Sequence, residues 1–395
     1  MSDKVQPAWP PAVVLNLSRN GLGVIRSLGS RGIPVIGVDV RDDVPGTRSR
    51  YCQALRCPDP NQDEAGLLTF FRDLAERLGQ RAVVFPTSDD YVRFLSKYRA
   101  ELEDEFRLML PTQAVIDLLV DKRQFYEASL RLHVQSPASF FPEDEATLLH
   151  SAQELSYPAL IKPTMSHTAE RPITGKALRV ESGPELIAAY RSLPGRWSDL
   201  MVQEMVPGGD ETLWTLGAYL NADSRPLAIF CGRKLRQYPP HFGTCSLGEC
   251  VWELDVVKLG LRLLKGIGYV GPTQVEFKRD PRDGRLKLME VNARTWLWHT
   301  LAADDEVDIA YVAYLDLIGR PPARRVLGKS GARWLSIIAD AASARRYIRR
   351  GELSWVEWLR SWRGVRQLDL LSLRDPMPFF STLWNVFRRK VRSME

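Results

Sequence analysis

TQVEFKRDPRDGRLKLMEVNAR, residues 273–294, is the stretch on which the reading of this chain turns. Two runs, Thr273–Lys278 and Leu286–Asn292, flank Asp280-Pro281-Arg282-Asp283-Gly284. That linker is dense in turn-forming residues, so the stretch predicts a β-hairpin. Glu290 and Asn292 are two apart on one strand and share a face. With the turn centred near Asp283, residue 276 pairs with residue 290, which brings Glu276 onto the same face. Val275, Phe277, Met289 and Val291 then go to the opposite, apolar side. Two carboxylates and an amide oxygen on one sheet face make a hard-oxygen set. Such a set suits Mg²⁺, which takes a few protein oxygens and fills its octahedron with phosphate and water. From the hairpin alone, a metal site and an ordinary solvated polar face are both open.

Working outward, residues 1–110 alternate strands and helices. Ala12–Leu17, Pro34–Asp39 and Ala82–Pro86 read as strands. Leu22–Arg31, Leu67–Leu78 and Tyr91–Glu103 read as helices. The alternation predicts a parallel sheet with right-handed crossovers, which binds ligands at the carboxyl ends of its strands. Ser18–Gly21 and Thr87–Asp90 sit at those ends. The middle of the chain changes to mixed α+β. Helices are expected over Thr112–Val120, Asp121–Leu130 and Val256–Gly266, with strands at Pro158–Lys162, Leu200–Val206, Leu213–Leu220 and Arg225–Cys231. Gly21 and Gly23 after a strand hint at a dinucleotide fingerprint, but Arg26 stands where the third glycine belongs, which disfavours a nicotinamide enzyme.

Cations are spaced around the hairpin. Lys162 ends a strand, Lys122 opens a helix, Lys234 and Arg236 follow a strand, and Arg294 lies two beyond Asn292. With a divalent ion they compose a triphosphate clamp, since fixed cations stabilise phosphoryl charge. Gln203-Glu204-Met205-Val206 offers backbone groups to an adenine edge, and Asp210 or Glu211 lies within reach of ribose hydroxyls.

The order Lys122, Lys162 in YPALIKP, QEMVPGGDE at 203–211, VEF at 275–277 and MEVNAR at 289–294 resembles the ATP-grasp superfamily. The likeness runs from about residue 10 to residue 320 and is closest to the carboxylate–amine ligases. It implies three units: a pre-ATP-grasp α/β domain (1–110), a two-subdomain ATP-grasp fold (lid about 111–200, metal-binding part about 201–320) and a basic, Trp-rich C-terminal helical extension (321–395). It implies that Lys122, Lys162 and Lys176 contact phosphates, that Gln203, Glu204 and Val206 form the adenine hinge, and that Asp210 meets the ribose. Glu276, Glu290 and Asn292 ligate one or two Mg²⁺, with Mn²⁺ as a substitute. Arg294 and Lys234 steady the γ-phosphate and an acyl phosphate. Arg19, Thr87, Asp89, Asp90, Arg236 and Trp298 are expected near the carboxylate and amine substrates. The implied reaction is ATP-dependent amide formation, and the alternative is a catalytically silent ATP-binding protein. One departure stands out: Thr164–Lys176 reads TMSHTAERPITGK, with a single glycine where the family's lid loop is glycine-rich.

Composition agrees with a globular protein: 395 residues, 45% hydrophobic and 26% charged. Five cysteines without a CxxC pair suggest a reduced, cytoplasmic setting. The net charge of +6 is uneven. Residues 321–395 hold 16 Lys+Arg against 6 Asp+Glu, whereas residues 1–320 hold 38 against 42. The basic character therefore belongs to the extension. Its Trp355, Trp358, Leu359 and Trp362 recur at helical spacing and are expected to pack on the body. Residues 376–392 are the candidate for peripheral contact with an anionic inner membrane face. No nucleic-acid module is apparent.

Overall fold

The computed structural model describes residues 9–165, 173, 177–194, 197–241, 243–305, 307–322, 326–328 and 330–392. Lys176 and most of the lid loop lie outside the described residues.

The first unit is a five-stranded parallel sheet. Its strands are β1 (Ala12–Leu15), β2 (Val35–Asp39), β3 (Gln53–Arg56), β4 (Ala82–Pro86) and β5 (Phe106–Arg107), in the order β3-β2-β1-β4-β5. Helices α1 (Arg19–Gly29), α2 (Glu64–Leu78), α3 (Asp89–Lys97) and α4 (Arg99–Leu102) cover it. The central β1 is buried throughout, as its unbroken AVVL run requires for a strand covered on both faces. Strand order reverses at β1, where β2 leaves on one side and β4 on the other, so the α1 and α3 N-termini open onto one crevice. The helix expected over Tyr91–Glu103 is split at Tyr98. The α1 glycines are packing glycines: a Cβ at Gly23 would come within 2.6 Å of His299 Nε2.

The lid unit begins with α5 (Gln113–Val120) and α6 (Lys122–Arg131). The Asp121 side chain caps α6 by accepting from the Arg123 and Gln124 N–H groups at 2.9 and 3.1 Å. A four-stranded antiparallel sheet follows: β6 (Ser139–Phe140), β7 (Ala159–Pro163), β8 (Leu178–Val180) and β9 (Leu200–Glu204), ordered β6-β9-β7-β8. Helices α7 (Glu145–Glu154) and α8 (Gly183–Ser192) pack on it through Leu148, Ile161, Leu186, Tyr190 and Val202.

The third unit is built on an eight-stranded sheet: β10 (Leu213–Leu220), β11 (Pro226–Tyr238), β12 (Thr244–Cys250), β13 (Gly271–Arg279), β14 (Leu286–Asn292), β15 (Val326–Gly328), β16 (Arg333–Leu335) and β17 (Val365–Leu368). The order is β14-β13-β10-β11-β12-β16-β17, with β15 added beside β11. Alternation along β10 and β11 separates two cores. Leu216, Ala218 and Ile229 face α9 (Leu254–Gly266). Tyr219, Ala228 and Phe230 pack with Trp296, Trp298, α10 (Ile309–Leu317) and α1. Gly217 is required there, because the Trp296 ring occupies the space of a β-carbon.

The extension after residue 320 differs from the appended helical tail expected from sequence. It supplies β15, β16 and β17 to the large sheet and then α11 (Ile337–Arg349), α12 (Trp355–Ser361) and α13 (Met377–Arg392). Asp340, at the start of α11, is fully buried. It accepts from Arg236 Nε and Nη2 at 2.8 and 2.9 Å, and from the Trp358 and Trp362 indoles at 2.8 and 3.1 Å. Of the stripe expected to pack, Trp358 and Trp362 are therefore held half-buried, while Trp355 and Leu359 stay 58% and 60% exposed because the helix turns them to solvent. The extension also reaches the first unit: Arg26 of α1 binds the Asp375 carboxylate at 3.0 Å and the Leu370 carbonyl at 2.8 Å.

Candidate active site

The 273–294 hairpin forms as read, with one register shift. Glu276 pairs with Glu290, Gln274 with Asn292 and Val275 with Val291. A bulge between Glu276 and Phe277 sets Phe277 against Leu288, so Leu288 is buried in the apolar core and Met289 is only half-buried. The extra residue restores the symmetry about Asp283 that places Glu290 opposite Glu276. At the tip, the Gly284 N–H donates to the Asp280 carbonyl at 2.8 Å.

On the polar face, Lys234 of β11 reaches over β10 to Glu276, with Nζ at 2.7 and 3.0 Å from the two carboxylate oxygens. Both residues are buried. Burial works against the Lys234 charge, but the facing Glu276 carboxylate, helped by Cys245 and Glu290, more than offsets it and raises the ammonium above the usual lysine range. Gln274, absent from the sequence expectations, donates to Glu276 Oε1 at 2.8 Å and accepts from Asn292 Nδ2 at 3.3 Å. Its signal was present in the QVE spacing, which puts residues 274 and 276 on one strand face. Asn292 Nδ2 also donates to Glu290 Oε1 at 3.0 Å, and Arg294 Nη2 donates to Asn292 Oδ1 at 3.2 Å.

These residues fit a hard divalent cation. Glu276 is oriented by Lys234 and Gln274, Glu290 is exposed toward the lid, and a half-turn of the Asn292 amide turns its oxygen to the Glu290 side. Among the described residues no group of three or more His, Cys, Asp or Glu side chains gathers for a metal, so the amide is needed as the third donor.

Lys122 and Lys162 come from the lid toward this face. Lys122 Nζ donates to the Pro163 carbonyl at 2.6 Å, and Lys162 Nζ donates to Gln203 Oε1 at 2.8 Å. Burial lowers both ammonium groups to about 8; the Lys122 charge adds to the effect at Lys162, and Glu290 opposes it at both. Glu290 thus lies within electrostatic reach of three lysines, including Lys234. At the hinge, the Glu204 carboxylate accepts from the Ala138 N–H and from Arg282 Nη2, each at 3.0 Å. The hairpin tip therefore braces the end of β9. Val206 is buried beside it.

The crevice of the first unit meets the hairpin through Asp89, whose carboxylate takes a two-pronged bond from Arg294 at 2.9 and 3.1 Å. Asp90 pairs with Arg93 at 2.8 Å on the helix surface. Thr87 is buried, its hydroxyl donating to the Leu15 and Asn16 carbonyls at 2.9 and 2.7 Å, which ties the ends of β1 and β4. Arg19, a third exposed, donates to Ser336 Oγ at 3.1 Å and Asp369 at 3.3 Å. Asn20 was not singled out in the sequence, yet it bridges the units by donating to the Thr87 and Thr295 carbonyls at 2.8 Å each.

Three expected site residues are held elsewhere. Asp210 is buried, and accepts from the Gln237 N–H at 2.8 Å, Gln237 Nε2 at 2.9 Å and the Tyr347 hydroxyl, so its carboxylate is turned into the protein rather than toward a ribose. Arg236 is buried against Asp340 and does not face the crevice. Trp298 is 1% exposed and packs edge-on against Phe230 at 5.4 Å, as a core residue rather than a pocket wall. In each case a side chain that looked available in sequence is claimed by a neighbour distant along the chain.

No family model matches the chain. It is 25% identical over 299 residues to the D-aspartate ligase of Enterococcus faecium, across 71% of this chain and 70% of that protein. Among solved structures it resembles the biotin carboxylase domain of the Hydrogenobacter thermophilus 2-oxoglutarate carboxylase in complex with MgADP, ADP and bicarbonate (17% identity, TM-score 0.59, 80% of this chain and 71% of that one). It also resembles an L-amino acid ligase from Bacillus licheniformis (15% identity, TM-score 0.58, 79% and 75%). With the parallel domain, the antiparallel lid and the acidic hairpin in that order, the chain shares the fold of these ATP-dependent enzymes and is similar in sequence to a carboxylate–amine ligase.

Proposed function

We propose that the protein joins a small-molecule carboxylate to an amine at the expense of ATP, through an acyl phosphate. The observation that carries this reading is the convergence of Glu276, Glu290 and Asn292 with Lys122, Lys162 and Lys234. A carboxylate oxygen attacks the γ-phosphorus, the bond to the bridging oxygen breaks, and ADP leaves. The amine nitrogen then attacks the acyl carbon; phosphate departs, and the nitrogen gives up a proton. No enzyme nucleophile is required, so catalysis is positioning and charge stabilisation.

Lys122 and Lys162 neutralise phosphate oxygens from the lid side. Lys234 supplies a fixed positive charge beneath the transferring group and opposes the rise that burial imposes on the Glu276 carboxyl. Arg294, anchored on Asp89, aligns the side of the site facing the first unit, where the carboxylate and amine enter between Ser18–Asn20 and Thr87–Asp90. Glu276, Glu290 and Asn292 would hold Mg²⁺, which when bound neutralises charge on the terminal phosphates.

The test is ADP release by the purified chain with Mg-ATP, screened over pairs of amino acids and cell-envelope precursors. ADP should form only when a carboxylate and an amine are both present. Hydroxylamine in place of the amine should yield a hydroxamate of the accepted carboxylate. Nucleotide binding with no ADP formation across the screen, and no hydroxamate, would favour the silent ATP-binding alternative.

A further inference from the structure

Helix α13 is docked on the first unit with most of its large apolar side chains facing solvent. Its inward side carries buried Pro378 and half-buried Phe379, Ser381, Thr382 and Asn385, and Asn385 Nδ2 donates to the Asp43 carbonyl at 3.1 Å beside the Pro45–Arg48 turn. Its outward side carries Phe380, Trp384 and Phe387, exposed by 56%, 59% and 59%. These three recur at one helical face, with Met377 and Leu383 flanking them and also exposed. The rings of Trp384 and Phe387 stack on each other at 6.0 Å, so they present one continuous apolar surface. Burial of apolar area normally decides which side of a helix turns inward. Here the inward side is mixed, and most of the large apolar side chains of the helix are left to solvent.

Charge selects the occupant. Residues 376–394 contain no Asp or Glu, while Arg388-Arg389-Lys390 and Arg392 follow the aromatic face in sequence. Arg388 itself is exposed, as is Arg374 just before the helix. A second copy of the chain docked face to face would bring two such basic clusters together. We propose that α13 docks on an anionic lipid surface, with Phe380, Trp384 and Phe387 entering the headgroup–acyl boundary and the basic cluster meeting the lipid phosphates. Because the opposite side of α13 is fixed to the first unit, the whole enzyme would be held at that surface in one orientation.

The full-length chain is tested by sedimentation with vesicles of phosphatidylcholine containing about 30% phosphatidylglycerol, against vesicles of phosphatidylcholine alone. The expected result is pelleting with the anionic vesicles, weakened by salt and weaker still on neutral ones. The triple variant Phe380→Ser, Trp384→Ser, Phe387→Ser should lower partitioning at least tenfold with unchanged circular dichroism. Trp384→Phe should keep partitioning but lose part of the fluorescence quenching by brominated acyl chains. The proposal is overturned if the wild-type chain stays in the supernatant, or if the triple variant pellets as well as wild type. It is equally overturned if sedimentation velocity shows a dimer that the triple variant converts to monomer, since a second copy would then be the occupant.

Discussion

Glu276 and Glu290 are assigned to one ion, yet the structure predicts opposite costs for removing each charge. Glu290 is exposed, and its only hydrogen-bond donor among the described residues is Asn292 Nδ2 at 3.0 Å. Glu290→Gln therefore keeps its acceptor and changes stability by about 0.5 kcal/mol or less, as for surface substitutions generally. Glu276 is buried with Lys234 Nζ at 2.7 Å. Glu276→Gln strands a buried ammonium without its counter-charge, and breaking such a pair costs about 3–5 kcal/mol. Because glutamine retains one acceptor, about 3 kcal/mol is expected. The deficit should shrink as pH is raised toward the ordinary lysine range: burial then favours the neutral amine in the folded variant, whereas the unfolded chain still binds the proton. Both variants should lose turnover by about 10²–10³ or more, the loss typical of removing one fixed charge-stabilising group. Urea titration and a coupled ADP assay read the two quantities separately. Near-wild-type turnover in Glu290→Gln would refute the metal assignment. Wild-type stability in Glu276→Gln would refute the ion-pair argument.

The two lid lysines, both lowered to about 8 by burial, should gain charge when a polyphosphate arrives. Nucleotide binding at about pH 8.5 is expected to take up protons, and affinity should fall as pH rises through about 8; calorimetry in two buffers of different ionisation heat measures the uptake, and zero uptake would contradict the assignment. Asp340→Ala strands buried Arg236 and unpairs two indole N–H groups, so a loss of about 3–5 kcal/mol by urea titration is expected, and a loss under about 1 kcal/mol would count against Asp340 as the anchor of the extension. Trp298→Ala should cost about 3–5 kcal/mol as a core truncation while leaving substrate KM unchanged in the folded enzyme; a KM shift without loss of stability would return Trp298 to the pocket.

How far the sequence could be read depended on the range of the interactions involved. The hairpin was legible because its signals are local: alternation, turn residues and a two-residue spacing. Even there the bulge, which exchanges Met289 for Leu288 in the core, has no local mark; the Leu288 N–H donates to the distant Gln135 carbonyl at 2.7 Å. The strands β3 and β5 were missed because they are short, and β3 is polar and largely exposed at the edge of its sheet. Asp210, Arg236 and Trp298 misled for the opposite reason. Their types suit a site, but their partners Tyr347, Asp340 and Phe230 could not be matched to them without the fold. The extension was opaque as well: three-residue strands such as Arg333–Leu335 carry no periodicity of their own and are strands only because β12 offers them an edge.

The clasp between Arg26 and Asp375 joins residues 349 apart. During synthesis, α1 emerges well before the carboxylate it needs, which is made 349 residues later. The parallel sheet can collapse early, but the guanidinium on its flank waits for the lid, the large sheet and the extension to follow. Final consolidation of the first unit is thereby tied to the folding of the extension, and a nascent chain stalled before Asp375 would carry a parallel sheet whose flanking helix α1 was still unlatched.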